Sequence, residues 1–201
     1  MEIKTVRIIG VGGIGSWLAC SLSRKYDIAI YDNDNIEESN LKRSFLPTIL
    51  GIKKVDGLSL LLNNLYSHRV YVYRVSYDPT NFKATHDEIL IDSTDSSLFE
   101  SIEDERLIKV KAVNGYEYII TNLSTASKWE VDDENIRENN INSYRISNYL
   151  PILGVMTLRV LEEFEEKEPF YFRLYVNIKD FKIDYEVIDK DDNQEVENAV
   201  E

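Results

Sequence analysis

Arg7-Ile8-Ile9-Gly10-Val11-Gly12-Gly13-Ile14-Gly15-Ser16-Trp17-Leu18 is the stretch that decides the fold. Apolar residues enter a cluster of glycines, and an amphipathic segment follows. Gly10, Gly12 and Gly15 fit the spacing G-x-G-x-x-G, with Gly13 inside it. One glycine turns the chain, one lets backbone N–H groups approach a phosphate, and one lets helix and strand pack closely. The helix that follows offers its positive end to the anion. The loop points to a nucleotide. Which nucleotide, and for what chemistry, depends on the rest of the chain.

Ile3 to Ile9 reads as a buried parallel strand. The helix behind the loop carries Ile14, Trp17, Leu18, Ser21 and Leu22 on one face. Cys20 reads as a core residue of this helix, because a reactive thiolate needs exposure and a nearby positive charge. Asp27 to Tyr31 is a second strand and ends at Asp32, 22 residues after Gly10. An acid there is placed to accept hydrogen bonds from ribose hydroxyls. The competing role is a turn former within Asp32-Asn33-Asp34-Asn35.

After Gly51-Ile52-Lys53-Lys54 comes a helix with Val55, Leu58, Leu61, Leu62 and Leu65 on one face. Val70 to Val75 is a third strand. Ile89 to Ile91 is a fourth and leads into Asp92-Ser93-Thr94-Asp95. Ser96 to Leu107 is expected to be helical. Lys109 to Val113 and Tyr116 to Thr121 are strands about a tight turn at Asn114-Gly115. Ser124 to Ser147 is polar and aperiodic, and reads as a mobile crossover or lid. Pro151 to Glu163 is a helix apolar nearly all round, which predicts burial, and Pro169 ends it. Phe170 to Asn177 and Phe181 to Val187 alternate like a terminal hairpin or a pair of edge strands.

This order predicts an α/β fold: a Rossmann-like, mostly parallel sheet with helices on both faces and a C-terminal β extension. The expected divisions are a nucleotide-binding domain over 1–167, the β extension over 168–188 and an acidic, disordered tail over 189–201. Ligands in such sheets bind at the carboxyl ends of the strands. Gly10 to Gly15, Asp32 and Asp95 all fall at such ends.

The chain has 201 residues and a net charge of −13, which argues against nucleic acid as a partner. Much of the excess acid lies in Glu162 to Glu168 and Asp189 to Glu201. No apolar run is long enough to cross a bilayer, so no membrane partner is expected. The chain opens Met-Glu-Ile-Lys with no signal core, and its single cysteine supports neither a disulfide framework nor a cysteine-based zinc site. Together these predict a cytoplasmic protein. His68 and His86, the only histidines, lie beside a strand start and in a loop, and neither is assigned a chemical role.

Five stretches in order, Gly10 to Ser16, Tyr31-Asp32-Asn33-Asp34, Ser39-Asn40-Leu41-Lys42-Arg43, Gly51-Ile52-Lys53-Lys54 and Asp92-Ser93-Thr94-Asp95-Ser96, resemble the ThiF/MoeB/HesA family. This is the adenylation domain shared with ubiquitin-activating enzymes. The resemblance spans residues 3 to 165. It implies binding of ATP and Mg2+, and adenylation of the C-terminal carboxylate of a small ubiquitin-like or sulfur-carrier protein or peptide, with release of pyrophosphate. By similarity Asp32 holds the ribose and Gly10, Gly12, Gly13 and Gly15 pass close to the nucleotide, with Asp34 alongside. Asn40, Arg43 and Lys54 contact the phosphates, with Lys53 the alternative to Lys54. Asp95 binds magnesium and orients the α-phosphate. A homodimer is also implied.

The attacking group is an anion, so the barrier is charge repulsion and positioning. Cations on the phosphates and a carboxylate-held metal address both. No protein nucleophile is needed, which agrees with the lack of a Ser-His-Asp or Cys-His set. The chain also departs from the family. It starts close to the first strand, so the N-terminal arginine-bearing segment is not expected. It has no Cys-x-x-Cys pairs, so no zinc is expected. No cysteine follows Asp95, so only the adenylation half-reaction is expected. Ser44 stands where glutamine is usual. The alternatives are a catalytically reduced nucleotide-binding or interaction module in a larger complex and, from the loop and Asp32 alone, an NAD-dependent oxidoreductase.

Overall fold

Val6 and Ile8 are buried on one side of the first strand and Ile9 on the other, which makes it a central strand. The computed structural model describes residues 2–81, 85–113, 116–124 and 149–189. Strands β1 (Thr5–Ile9), β2 (Asp27–Tyr31), β3 (Val70–Tyr73), β4 (Glu88–Asp92) and β5 (Leu107–Ala112) pair in parallel. Strands β6 (Glu117–Thr121), β7 (Tyr171–Asn177) and β8 (Lys182–Ile188) continue the same sheet antiparallel. The order is β3-β2-β1-β4-β5-β6-β7-β8. The chain leaves β1 toward β2 and β3, then returns to β4 on the other side. The reversal opens a crevice at the carboxyl ends of β1, β2 and β4, where doubly wound sheets bind ligands.

Helices α1 (Gly13–Leu22), α3 (Lys54–Leu65) and α4 (Pro151–Lys167) pack their buried residues into one cluster with Val6, Ile8, Ile28, Ile30, Ile91 and Ile120. The short α2 (Glu38–Leu41) lies between β2 and α3. On the opposite face Ile9, Leu90 and Leu107 are covered by Phe99, Tyr31, Tyr77 and Ile102. Among the described residues that cover comes from strand ends and coil, where a helical layer was expected.

Two expectations change. Ser96 to Leu107 forms no helix; it is turn and coil up to β5. The carbonyls of Thr94 and Ser96 accept from Lys111 Nζ, and that of Ile102 from Lys109 Nζ. Side chains of β5 thus take up carbonyls that a helix would pair internally. Helix α4 runs to Lys167 and buries a stripe, Leu153, Gly154, Thr157, Val160, Leu161 and Phe164, while Val155 is exposed. Its apolar residues are more numerous than its buried ones. Strands β7 and β8 form the expected hairpin, and β7 is bonded directly to β6. The polar crossover of Ser124 to Ser147 beyond Ser124, the turn Asn114-Gly115 and the acidic tail over 189–201 beyond Asp189 lie outside the described residues.

Candidate functional site

The glycine loop is built by contacts on three sides. Gly10 has a φ of +81°, and its N–H donates to the Tyr31 carbonyl at 2.9 Å. A Cβ there would meet Thr94 Cγ2 at 2.8 Å. Gly15 lies so close to the end of β1 that a Cβ would come within 1.9 Å of the Gly10 oxygen and 2.6 Å of Ser93 Oγ. The Ser93 hydroxyl spans the Ile9 and Gly10 oxygens at 2.9 and 2.8 Å. Gly12 differs. A Cβ there would meet nothing within 4 Å, so the loop is open at that point.

Asp32 takes the turn-forming role weighed for it and adds a second backbone contact. Its Oδ2 accepts the Val11 N–H at 2.7 Å and its Oδ1 the Asp34 N–H at 2.7 Å. It ties the loop to the end of β2 and shapes the turn beyond. Each carboxylate oxygen retains acceptor capacity for a hydroxyl. Lys54, in the first turn of α3, has Nζ at 2.8 Å from Asp34 Oδ2 and 4.0 Å from Asp32 Oδ2. Lys53 Nζ turns instead to the Asn33 carbonyl at 2.5 Å. Of the two lysines, Lys54 faces the acidic pair.

Asn40 is buried, and its Oδ1 accepts the Glu37 N–H at 2.9 Å, which caps α2. Arg43 follows that helix. Its stem lies against the start of α1, with Cδ 3.4 Å from where a Gly13 Cβ would stand. Its main chain is held by Trp17, whose indole N–H donates to the Arg43 carbonyl at 3.0 Å. Ser16 Oγ accepts the Phe45 N–H at 2.9 Å, and the Trp17 and Phe45 rings lie 5.1 Å apart. The guanidinium is exposed and has no partner among the described residues. Asp95 is likewise exposed and unpartnered on the loop after β4. Among the described residues, a cation and a carboxylate without partners thus stand on segments anchored to the same glycine loop.

Two lysines of β5 escaped the sequence reading. Asp92 is fully buried, and Lys111 Nζ lies 2.7 Å from its Oδ2. Lys109 is also buried and donates to the carbonyls of Ile102 and Leu123. Burial pushes its ammonium down to about 8. Their sequence signal was a charged residue at every second position of an apolar strand, Leu107-Ile108-Lys109-Val110-Lys111. Cys20 is half-buried in α1, and burial raises its thiol pKa, which is the opposite of an activated nucleophile. His68 Nδ1 sits 3.6 Å from Asp27 at the start of β2, away from the strands' carboxyl ends.

The model of the ThiF family matches residues 2–128. The chain belongs to the ThiF family. A segment of 65 residues is 38% identical to ubiquitin-like modifier-activating enzyme 5 of Bombyx mori, covering 31% of this chain and 16% of that one. Among solved structures, E. coli MccB with AMPCPP and MccA superimposes with a TM-score of 0.66 at 20% identity, over 92% of this chain and 63% of that one. PaaA gives a TM-score of 0.65 at 17% identity, over 92% and 64%. At those identities the structural likeness concerns the fold. The chain spans less than two thirds of the length of these relatives.

No cluster of three or more His, Cys, Asp or Glu side chains suited to a metal occurs among the described residues. A magnesium ion does not require one. It is commonly held by one or two carboxylates, water and substrate phosphates. The donors present, one free carboxylate beside the glycine loop, fit that mode. No described helix is long and apolar enough to cross a membrane.

Proposed function

We propose that the chain binds ATP and magnesium in the crevice at the carboxyl ends of β1, β2 and β4 and adenylates the C-terminal carboxylate of a small ubiquitin-like or sulfur-carrier protein or peptide. The observation that carries this reading is that the Arg43 guanidinium and the Asp95 carboxylate, each exposed and without a partner among the described residues, stand on segments locked to one glycine loop. Family membership supports adenylation chemistry. An oxidoreductase assigns no role to either group.

In this reading Asp32 accepts from the ribose hydroxyls while holding Val11 and Asp34. The open loop at Gly12 and the first turn of α1 face the phosphates. Arg43, Lys54 and the amide NH2 of Asn40 bind phosphate oxygens, with Lys54 drawn from Asp34 by the greater charge. Asp95 holds the magnesium ion, which supplies charge neutralisation on the phosphates. A carboxylate oxygen of the acceptor bonds to the α-phosphorus, the bond from that phosphorus to the bridging oxygen breaks, and pyrophosphate departs with its electron pair. No proton is transferred, so no general base is needed. The residues position two anions and offset their repulsion.

Exchange of labelled pyrophosphate into ATP in the presence of a candidate acceptor tests this. Asp95→Ala is expected to abolish exchange. Arg43→Ala is expected to lower it about 100-fold or more, as loss of one charge-stabilising donor does. Its unfolding free energy should stay within about 0.5 kcal/mol, because the side chain is exposed and unpaired. ATP binding without exchange, with a verified acceptor, would favour the reduced interaction module instead.

A further inference from the structure

We propose that Lys111 is a positioning residue that fixes the main chain on both sides of Asp95, setting that carboxylate for the metal and phosphates. This rests on the reading of Asp95 above. Lys111 lies on β5, outside the five stretches that carry the family resemblance. Its ammonium donates to the Thr94 carbonyl at 2.5 Å and the Ser96 carbonyl at 3.0 Å, and forms an ion pair with Asp92, whose Oδ2 lies 2.7 Å away. The two carbonyls flank Asp95. Asp92 Oδ1 meanwhile accepts from the Thr94 N–H at 3.0 Å and the Thr94 hydroxyl at 2.7 Å, and Thr94 Oγ1 lies 2.7 Å from Ser96 Oγ. Ser93 is bound to Ile9 and Gly10. From Asp92 to Ser96 every residue but Asp95 is held, and Asp95 alone is exposed without a partner among the described residues.

A simpler role for Lys111 is to neutralise the buried Asp92. That role needs one contact. Here two of the three N–H groups are spent on carbonyls that only a turn about Asp95 brings together. The clamp also links β5 to the glycine loop, because β5 neighbours β4 while Thr94 packs on Gly10, the residue after β1.

The test measures ATP affinity by calorimetry in magnesium and in EDTA, for the wild type, Asp95→Ala, Lys111→Arg and the double variant Asp92→Asn/Lys111→Met. The double variant removes the buried charge pair as a unit and keeps an acceptor for Thr94. Thermal unfolding is recorded for each. The double variant is expected to melt near the wild type, to bind ATP in EDTA within about twofold of it, and to lose ~10- to 100-fold of the magnesium-dependent enhancement, as outer partners of metal ligands do. Lys111→Arg keeps the charge but replaces a three-way ammonium by a planar fork. It is expected to fold and to lose part of the enhancement, and it decides the matter if the double variant unfolds. A folded variant of either kind that keeps the full enhancement overturns the positioning role and leaves a counter-ion. A wild type without any magnesium effect, or an Asp95→Ala variant that keeps it, overturns the parent reading and this inference with it.

Discussion

Gly12 and Gly15 stand three residues apart in one loop and are constrained in different ways. At Gly15 an added methyl group would strike the Gly10 oxygen and Ser93 Oγ. Gly15→Ala is expected to cost about 2–3 kcal/mol, the upper range for overpacking, read as a shift in the denaturant midpoint. At Gly12 the φ is −90° and the space is open. Gly12→Ala should remain within about 1 kcal/mol of the wild type while weakening ATP binding in a titration. Lys109 allows a pH prediction with a definite sign. Its pKa is lowered by burial to about 8 in the folded chain, against 10.5 for an ordinary lysine side chain. Between those values the unfolded chain binds more protons, so its contribution to stability rises with pH through that window. Lys109→Met should remove this rise. Urea midpoints of both proteins at pH 8 and pH 10 measure the difference, and parallel changes in the two would refute it. The glycine spacing and Asp32 were legible in the sequence because each is imposed by a local backbone requirement. Lys109 and Lys111 were not, because a lysine in a strand reads as solvent-facing until its carbonyl partners are placed around it.

Helix α4 packs closely on α1 at Gly154. A Cβ at Gly154 would come within 2.2 Å of Ser21 Oγ and 2.9 Å of the Trp17 carbonyl oxygen. Gly154→Ala is expected to destabilise by about 2 kcal/mol despite the better helix propensity of alanine. Because Trp17 also holds Arg43, the variant should weaken ATP binding as well, which a titration on the folded fraction can show. The helices α1 and α3 and the strands β1, β2 and β4 were readable as periodic segments. The failure at 96–107 has a physical cause. Its composition permits a helix, but carbonyls at Thr94, Ser96 and Ile102 are claimed by Lys109 and Lys111 from a strand not yet reached in the chain. Local propensity loses to tertiary hydrogen bonds there.

At the scale of the molecule, the resemblance to the ThiF family implies a homodimer. Sedimentation equilibrium is expected to return twice the chain mass of 23.4 kDa. A value at the chain mass in both the presence and absence of ATP would refute that expectation. The sequence alone determined the parallel half of the sheet, the glycine loop, Asp32 at the end of the second strand and the family. These follow from periodicity and from short motifs whose geometry is local. The tertiary structure decided what depends on distant segments meeting. It set Lys54 rather than Lys53 against Asp32 and Asp34, spent the oxygen of Asn40 on a helix cap, and joined the last two strands to the main sheet. It also bound Asp92, Thr94 and Ser96 to Lys111 while leaving Asp95 and Arg43 without partners among the described residues. Whether a polar side chain is already satisfied is a property of its neighbours in space, and those neighbours lie up to tens of residues away along the chain.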